Sequence, residues 1–340
     1  MTSQSGKRSS GWSLRSMLIR PELGSFVGLI VVYCFFAIMG GAVFIGAPGW
    51  SSWLNIAAEV GIVALPVGLL MISGELDISV GSVIPASAMT AAIISGYFDL
   101  AAPIGIAAGL GVGVFVGFIN GYLVTHTPIP SLIITIGTMF SVMGLTLGFA
   151  VLIVGSTSVS LVPDASTKLL LGTFIGGMFN VSMFWWLGFS MIVYYILHVA
   201  PIGNWIFAVG GDRESARNAG IPTTALTVGL YMLSGFAAAF VGILQLMTYT
   251  SAQVATGQSF IFNSIMCVVI GGVLLTGGSG SVVGIVIGTA TFAIVNQGIF
   301  FSGLDPNVGS VIIGALLLAA VLSNDTFRTL ALTFATKKSK

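Results

Sequence analysis

Charge is the scarcest property of this sequence. Asp, Glu, Lys and Arg make up 6% of 340 residues, against roughly a quarter in an ordinary soluble domain. So few charges cannot cover the surface of a soluble fold, which excludes a soluble globular enzyme and a disordered chain. The net charge of +1 supplies no basic field, so no nucleic-acid partner is expected. Cysteine is nearly absent too. Cys34 and Cys267 both lie in apolar runs, which argues against a disulfide scaffold or a thiolate metal site. No G-x-x-x-x-G-K-S/T run occurs, so the chain does not bind ATP through a P-loop. His126 and His198 stand alone without a second ligand at metal spacing, and no catalytic Ser/His/Asp or Cys/His set is present. The expectation is therefore no catalytic residue, no metal and no cofactor in this chain.

What is there is apolar: 56% hydrophobic residues and a mean hydropathy of +1.07. No charge falls from Leu23 to Ala58, from Leu100 to Pro163 or from Asn218 to Leu304. A spanning helix needs about 20 apolar residues, so these runs hold several spans each. They show no sustained alternation of polar and apolar residues, which disfavours membrane strands. The reading is an all-α polytopic membrane protein with about ten spans. They fall near Gly24–Phe44, Leu54–Gly74, Val80–Phe98, Ala102–Thr125, Ser131–Val154, Phe184–Ala200, Thr224–Tyr249, Phe260–Thr276, Val282–Phe301 and Val308–Ser323. The third and eighth, rich in Gly, Ser or Thr, are candidates for broken or re-entrant segments.

This layout places Lys7, Arg8, Arg15, Arg20, Arg213, Arg217, Arg328, Lys337, Lys338 and Lys340 on one side and only Lys168 on the other. The positive-inside rule then puts both termini in the cytoplasm. The chain divides into a tail at 1–22, a transmembrane domain at 23–324 with a loop at 203–222, and a tail at 325–340. The basic N-terminal stretch precedes a full-length span, so it is not expected to be a cleaved signal peptide. The six tryptophans fall in tails, loops or span edges, as interfacial anchors.

Two polar-interrupted stretches, GLLMISGELDISVGS (Gly68–Ser82) and GGVLLTGGSGSVVG (Gly271–Gly284), suggest an inverted repeat of spans two to five and seven to ten. Within the first, Glu75 and Asp77 are unusual, because a carboxylate in lipid is costly and must face protein, water or an interface. Asp77 or Ser79 reads as a helix cap; Glu75 fits a turn or a site beside the pathway. The one charge-dense internal loop runs from Val209 to Pro222. Within it Asp212 is a candidate cap, Ser215 to Arg217 a short helix, Gly220 a stop and Pro222 a break. It is either an ordinary basic loop or a helix that docks on a cytoplasmic partner. Gly109, Gly111, Gly113 and Gly117 lie inside a span and read as helix packing rather than a nucleotide fingerprint, as do Gly277, Gly278, Gly280 and Gly284.

Four ordered motifs carry a resemblance: SGELDISVGS, PSLIITIGTMF (Pro130–Phe140), VGGDRESARNAGI and VVIGGVLLTGGSGSVVGIVIG (Val268–Gly288). Together they resemble the permease subunit of ribose-type ABC sugar importers, a family that includes xylose, galactose, arabinose, fructose and autoinducer-2 permeases. The resemblance runs from about Gly24 to Ser323. It implies a ten-helix, vitamin-B12-permease-like (type II) fold in a bacterial inner membrane. It implies a second permease subunit, ABC ATPase subunits that bind ATP and Mg, and a periplasmic or extracellular sugar-binding protein. The ATPase-coupling segment maps to Gly210, Gly211, Arg213, Glu214, Ala216, Arg217 and Gly220, with Arg213, Glu214 and Arg217 as contact charges. The sequence departs from the family at Glu75, where relatives often have a small residue, and at Asn218-Ala219-Gly220, where a Ser before Gly is frequent. Ser141–Gly148 also lacks an Arg common in the family.

The function expected is import of a monosaccharide or similar polyol past neutral donors and acceptors. Candidate path or gating residues are Glu75, Asp77, Asn120, Gln253, Gln258, Asn263 and Asn296. Outer loops at Gly155–Val181 and Thr250–Ser259 are expected to receive the binding protein. The alternatives are a branched-chain amino-acid permease and an ATP-independent secondary transporter. The latter would need an ion site at Glu59, Glu75 or Asp77, all read as near span ends.

Overall fold

A computed structural model describes residues 21–303 and, beyond them, 305, 309, 311, 312, 314, 315 and 318. The expected tenth span, apart from those few positions, and the tail residues Lys7, Arg8, Arg15, Arg20, Arg328, Lys337, Lys338 and Lys340 lie outside the described residues.

Apolar runs bounded by Gly, Pro and polar residues become helices. In chain order these are α1 (Pro21–Ile45), α2 (Ala47–Ile72), α3 (Val80–Ala92, continued by a π turn Ile93–Tyr97), α4 (Ala102–His126) and α5 (Ser131–Val154). A loop region follows, with β1 (Ser158–Ser160), α6 (Ala165–Leu171), β2 (Phe174–Ile175) and β3 (Phe179–Asn180). Then come α7 (Ser182–Tyr194, with a π turn Tyr195–Val199), α8 (Pro201–Gly211), α9 (Arg213–Asn218), α10 (Thr223–Tyr249), β4 (Ser251–Gln253), α11 (Gln258–Ile270) and α12 (Val282–Phe301). A proline in the first turn starts α2, α4 and α8, where its missing N–H costs nothing.

Among the described residues eight helices, counting the π turns, are long and apolar enough to cross a membrane. The fold is a polytopic helical membrane protein. Ser131–Val154 and Val282–Phe301 have the bounds read from the sequence. The second span starts at Ala47 rather than Leu54, because the helix runs on through Trp50 and Trp53. The third is an unbroken 18-residue helix to Tyr97. The eighth is short: α11 has 13 residues, and the chain from Gly271 to Ser281 forms no further helix or strand. At about 1.5 Å per residue, α11 alone reaches only about two-thirds of the hydrocarbon thickness.

Burial separates the helices into two shells. In α2, α3, α10 and α12 at least 67% of the apolar window is buried; in α1, α4, α5 and α7 at most 28% is. The outer helices turn residues such as Ile38, Phe115 and Leu152 outward, as lipid-facing helices should. Where α4 meets the centre, small residues let backbones touch. A Cβ on Gly113 would stand 2.3 Å from the Gly235 carbonyl oxygen, and one on Gly117 2.3 Å from that of Tyr231. Gly109 packs on α3 in the same way, but Gly111 faces open space. Of the second glycine set, Gly284 packs on Gly271, whereas Gly277, Gly278 and Gly280 belong to the loop.

Two tryptophans depart from the anchor reading. Trp53 is buried, and the Trp186 indole covers Gly61, where any Cβ would collide with it. Both indole nitrogens are buried without a hydrogen-bond partner. The expected outer loops are joined to each other: β1 pairs antiparallel with β4, Val159 opposite Ala252. Asp164 caps α6 by accepting the Thr167 N–H at 3.1 Å, and its bonds from Ser166 and Thr167 lower its pKa to about 2.

The close approach predicts a sharp contrast between neighbours. Gly113→Val should destabilise the protein by about 1–3 kcal/mol through overpacking. Gly111→Val should leave the thermal midpoint in detergent unchanged. Equal midpoints for the two variants would contradict the packing.

Candidate functional site

Helix α2 ends at Ile72, and the chain turns at Gly74 into a loop, 73–79, that is mostly buried. Asp77 is 1% exposed and Glu75 8%. Neither carboxylate could stay there unpartnered, and the surrounding helices each provide a group. The Asp77 carboxylate accepts from the Ser79 N–H at 3.0 Å, the Ser79 hydroxyl at 2.6 Å and the Ser234 hydroxyl at 2.7 Å. Asn120 on α4 donates to the Ser79 hydroxyl at 2.8 Å. The Leu76 N–H reaches the Ser131 hydroxyl at 3.2 Å, and the Leu76 carbonyl accepts from the Tyr231 hydroxyl at 3.0 Å. Burial pushes the Asp77 carboxyl above its usual range, and the serine bonds pull it back. The cap reading is not met: α3 begins without a side-chain cap bond, and Asp77 instead accepts the N–H of Ser79, which precedes the helix.

Glu75 binds the charge-dense loop. Its Oε1 lies 2.5 Å from Nη1 of Arg213, whose Nη2 donates to the Thr227 hydroxyl at 3.1 Å. Arg213 opens the short helix α9. Asp212 caps that helix through the Ser215 N–H at 2.6 Å, and this bond lowers the Asp212 pKa. Gly220 stops it at φ +87°, with the Ile221 N–H bonded back to the Ala216 carbonyl. Ala216 is buried; Glu214, Arg217, Gly211 and Gly220 are exposed. Of the three expected contact charges, Arg213 therefore turns inward, and Glu214 and Arg217 remain free at the surface.

Three pieces of chain meet here at glycines. A Cβ on Gly210 would stand 1.8 Å from the Ile72 carbonyl oxygen, and one on Gly277 3.0 Å from the Cα of Gly74. The Gly278 N–H donates to the Ile72 carbonyl at 2.8 Å. The two polar-interrupted stretches thus touch at one end of the molecule. A two-fold axis in the membrane plane would carry them to opposite ends, so their likeness is no support for an inverted repeat.

The expected path residues do not form one column. Glu75, Asp77 and Asn120 share this buried cluster. Gln253 lies opposite Ser158 in the β1–β4 pair, and exposed Gln258 starts α11. That end is about 20–35 Å away along α10, which the cluster meets between Thr227 and Ser234 and which ends at Tyr249. Asn263 is half-buried on α11, and Asn296 accepts from its neighbour Gln297 at 3.1 Å. Glu59, read as near a span end, stands in the middle of α2 and accepts from Gln245 on α10 at 2.8 Å. The partners missed from sequence, Thr227, Tyr231 and Ser234, follow i, i+4, i+7 spacing and share one face of α10. That polar stripe within an apolar run was the available signal. Among the described residues no group of three or more His, Cys, Asp or Glu could hold a metal ion.

A family model described as "Branched-chain amino acid transport system / permease component" matches residues 49–321. Similar proteins include the fructose import permease protein FrcC of Rhizobium meliloti, 27% identical over 318 residues, which are 92% of this chain and 87% of that protein. The autoinducer 2 import system permease protein LsrD of Photorhabdus temperata is 31% identical over 265 residues, 77% of this chain and 79% of that one. The probable ABC transporter permease protein y4mJ of Sinorhizobium fredii is 31% identical over 280 residues, 81% of this chain and 82% of that one.

The Asp77 cluster makes its own prediction. Asp77→Ala removes the acceptor of two side-chain hydroxyls and should cost about 1–3 kcal/mol. Asp77→Asn, which keeps one acceptor oxygen, should cost less. Thermal denaturation in detergent reads both; a neutral Asp77→Ala would contradict the bonded cluster.

Proposed function

The chain belongs to the branched-chain amino acid transport system / permease component family, and on that premise we propose that it imports a monosaccharide or similar polyol as a pore-forming subunit of an ATP-binding-cassette importer. Two relatives that align with most of its length are import permeases named for fructose and autoinducer 2. That favours the sugar reading over the branched-chain alternative.

In this reading the chain sits in a bacterial plasma membrane with ten spans, a type II fold and both termini cytoplasmic. Residues 23–324 form the transport domain, and 1–22 and 325–340 are tails. A second permease subunit completes the pore, and partner ATPases hold ATP and Mg. The binding protein delivers cargo to loops 155–181 and 250–259, which the β1–β4 pair ties into one platform. An inverted repeat has α2 and α10, the longest helices, as equivalents; both are mostly buried.

The observation that carries the proposal is the Glu75–Arg213 ion pair. Helix α9 offers Glu214 and Arg217 to a partner on its exposed side. On its inner side it is bonded to the loop that joins the central helices α2 and α3. A push on α9 reaches those helices through this pair and through the glycine contacts, and shifts the access of the pore.

Reconstitution in liposomes with and without the ATPase and the binding protein tests the proposal. Uptake should require both partners and ATP; uptake by this chain alone on an ion gradient would contradict it. Arg217→Glu should reduce ATPase co-purification about tenfold while membrane insertion persists. Unchanged co-purification would remove α9 from the contact.

A further inference from the structure

The mid-helix carboxylate of Glu59 has no place in the coupling cluster. It lies on α2, half-buried, with Gln245 of α10 donating to its Oε2 at 2.8 Å. Among the described residues neither Oε1 nor the amide oxygen of Gln245 has a hydrogen-bond partner, and neither atom is fully buried. Helix adhesion alone does not call for this arrangement. Two neutral side chains would join α2 to α10 without the desolvation of a charge.

The pair lies one helical turn inside the β2–β3 hairpin of the outer loop region. One turn above Glu59, Asn55 accepts from the Asn180 N–H at 2.9 Å and donates to the Met178 carbonyl at 3.0 Å. One turn above Gln245, Thr248 accepts from the Asn180 amide at 3.1 Å. The β2–β3 hairpin is thereby seated on both helices, with its own polar groups satisfied. Beneath it, Glu59 and Gln245 present open acceptors. Among the described residues Glu59 belongs to no group of three or more His, Cys, Asp or Glu that could hold a metal ion.

We propose that Glu59 and Gln245 form a hydroxyl-binding subsite at the outer part of the translocation path, specific for neutral polyols. A carboxylate oxygen and an amide oxygen accept hydrogen bonds from adjacent hydroxyl groups. The same carboxylate repels the acid group of an amino acid. Two contacts hold cargo weakly enough for it to move on. The inference rests on the importer reading and replaces the expectation of an uncharged path.

The test uses the complete importer in liposomes, with whichever of fructose, ribose, xylose and galactose its binding protein retains. The readout is sugar imported per ATP hydrolysed. Glu59→Gln keeps a hydrogen bond to Gln245 but loses the carboxylate, and should lower this ratio about tenfold. Gln245→Leu should lower it as well, and Glu59→Asp should restore part of it. An unchanged ratio in Glu59→Gln overturns the subsite, including the case where uptake and hydrolysis fall together because the residue only supports the fold. A wild-type importer that hydrolyses ATP and takes up none of the four sugars contradicts the importer reading itself.

Discussion

Two carboxylates at the end of an apolar bundle have to be satisfied, and that constraint organises the molecule. Glu75 and Asp77 follow a 26-residue helix whose last turns are buried, and water does not reach them freely. Every helix that packs around the loop gives up a polar group to it. Ser79 precedes α3, Asn120 is on α4, Ser131 begins α5, and Thr227, Tyr231 and Ser234 line α10. The remaining charge comes from Arg213, and it brings α9 with it. A chain with so few charges thus uses one ion pair to fix its only charge-dense internal loop against its centre.

The glycines make that geometry possible. Gly210, Gly277 and Gly278 let three backbones come within hydrogen-bonding range where any side chain would separate them. A buried, bonded and closely packed junction has few alternative arrangements, so a displacement of α9 is not absorbed locally. The opposite end differs. There the contacts are a three-residue strand pair and a hairpin held by Asn55 and Asn180, which suits a surface that receives a partner.

Much of the fold was legible in the sequence because lipid imposes long apolar runs and turn residues end them. Ser131–Val154 and Val282–Phe301 are bounded by Pro130, Gly155, Ser281 and Ser302, and their limits could be read directly. The capping of α9 by Asp212 and its stop at Gly220 were legible for the same local reason. What escaped depends on the third dimension. A charge count does not show that Arg213 turns inward while Arg217 stays out. Glu59 looked terminal only because α2 begins at Ala47, seven residues before the apolar pattern indicated. Trp186 resembled an interfacial anchor because nothing local reveals that Gly61 leaves room for an indole. That the stretches around Gly74 and Gly277 meet in one contact was likewise hidden from any local pattern.

The central claim is that force enters the membrane domain through the Glu75–Arg213 pair. Exchange of the two charges tests it most directly, with ATP-driven uptake measured in Glu75→Arg, in Arg213→Glu and in the double variant. The account predicts that each single reversal abolishes most uptake and that the double reversal regains a substantial part of it. Single variants with full uptake, or a double variant no better than either single one, would contradict it.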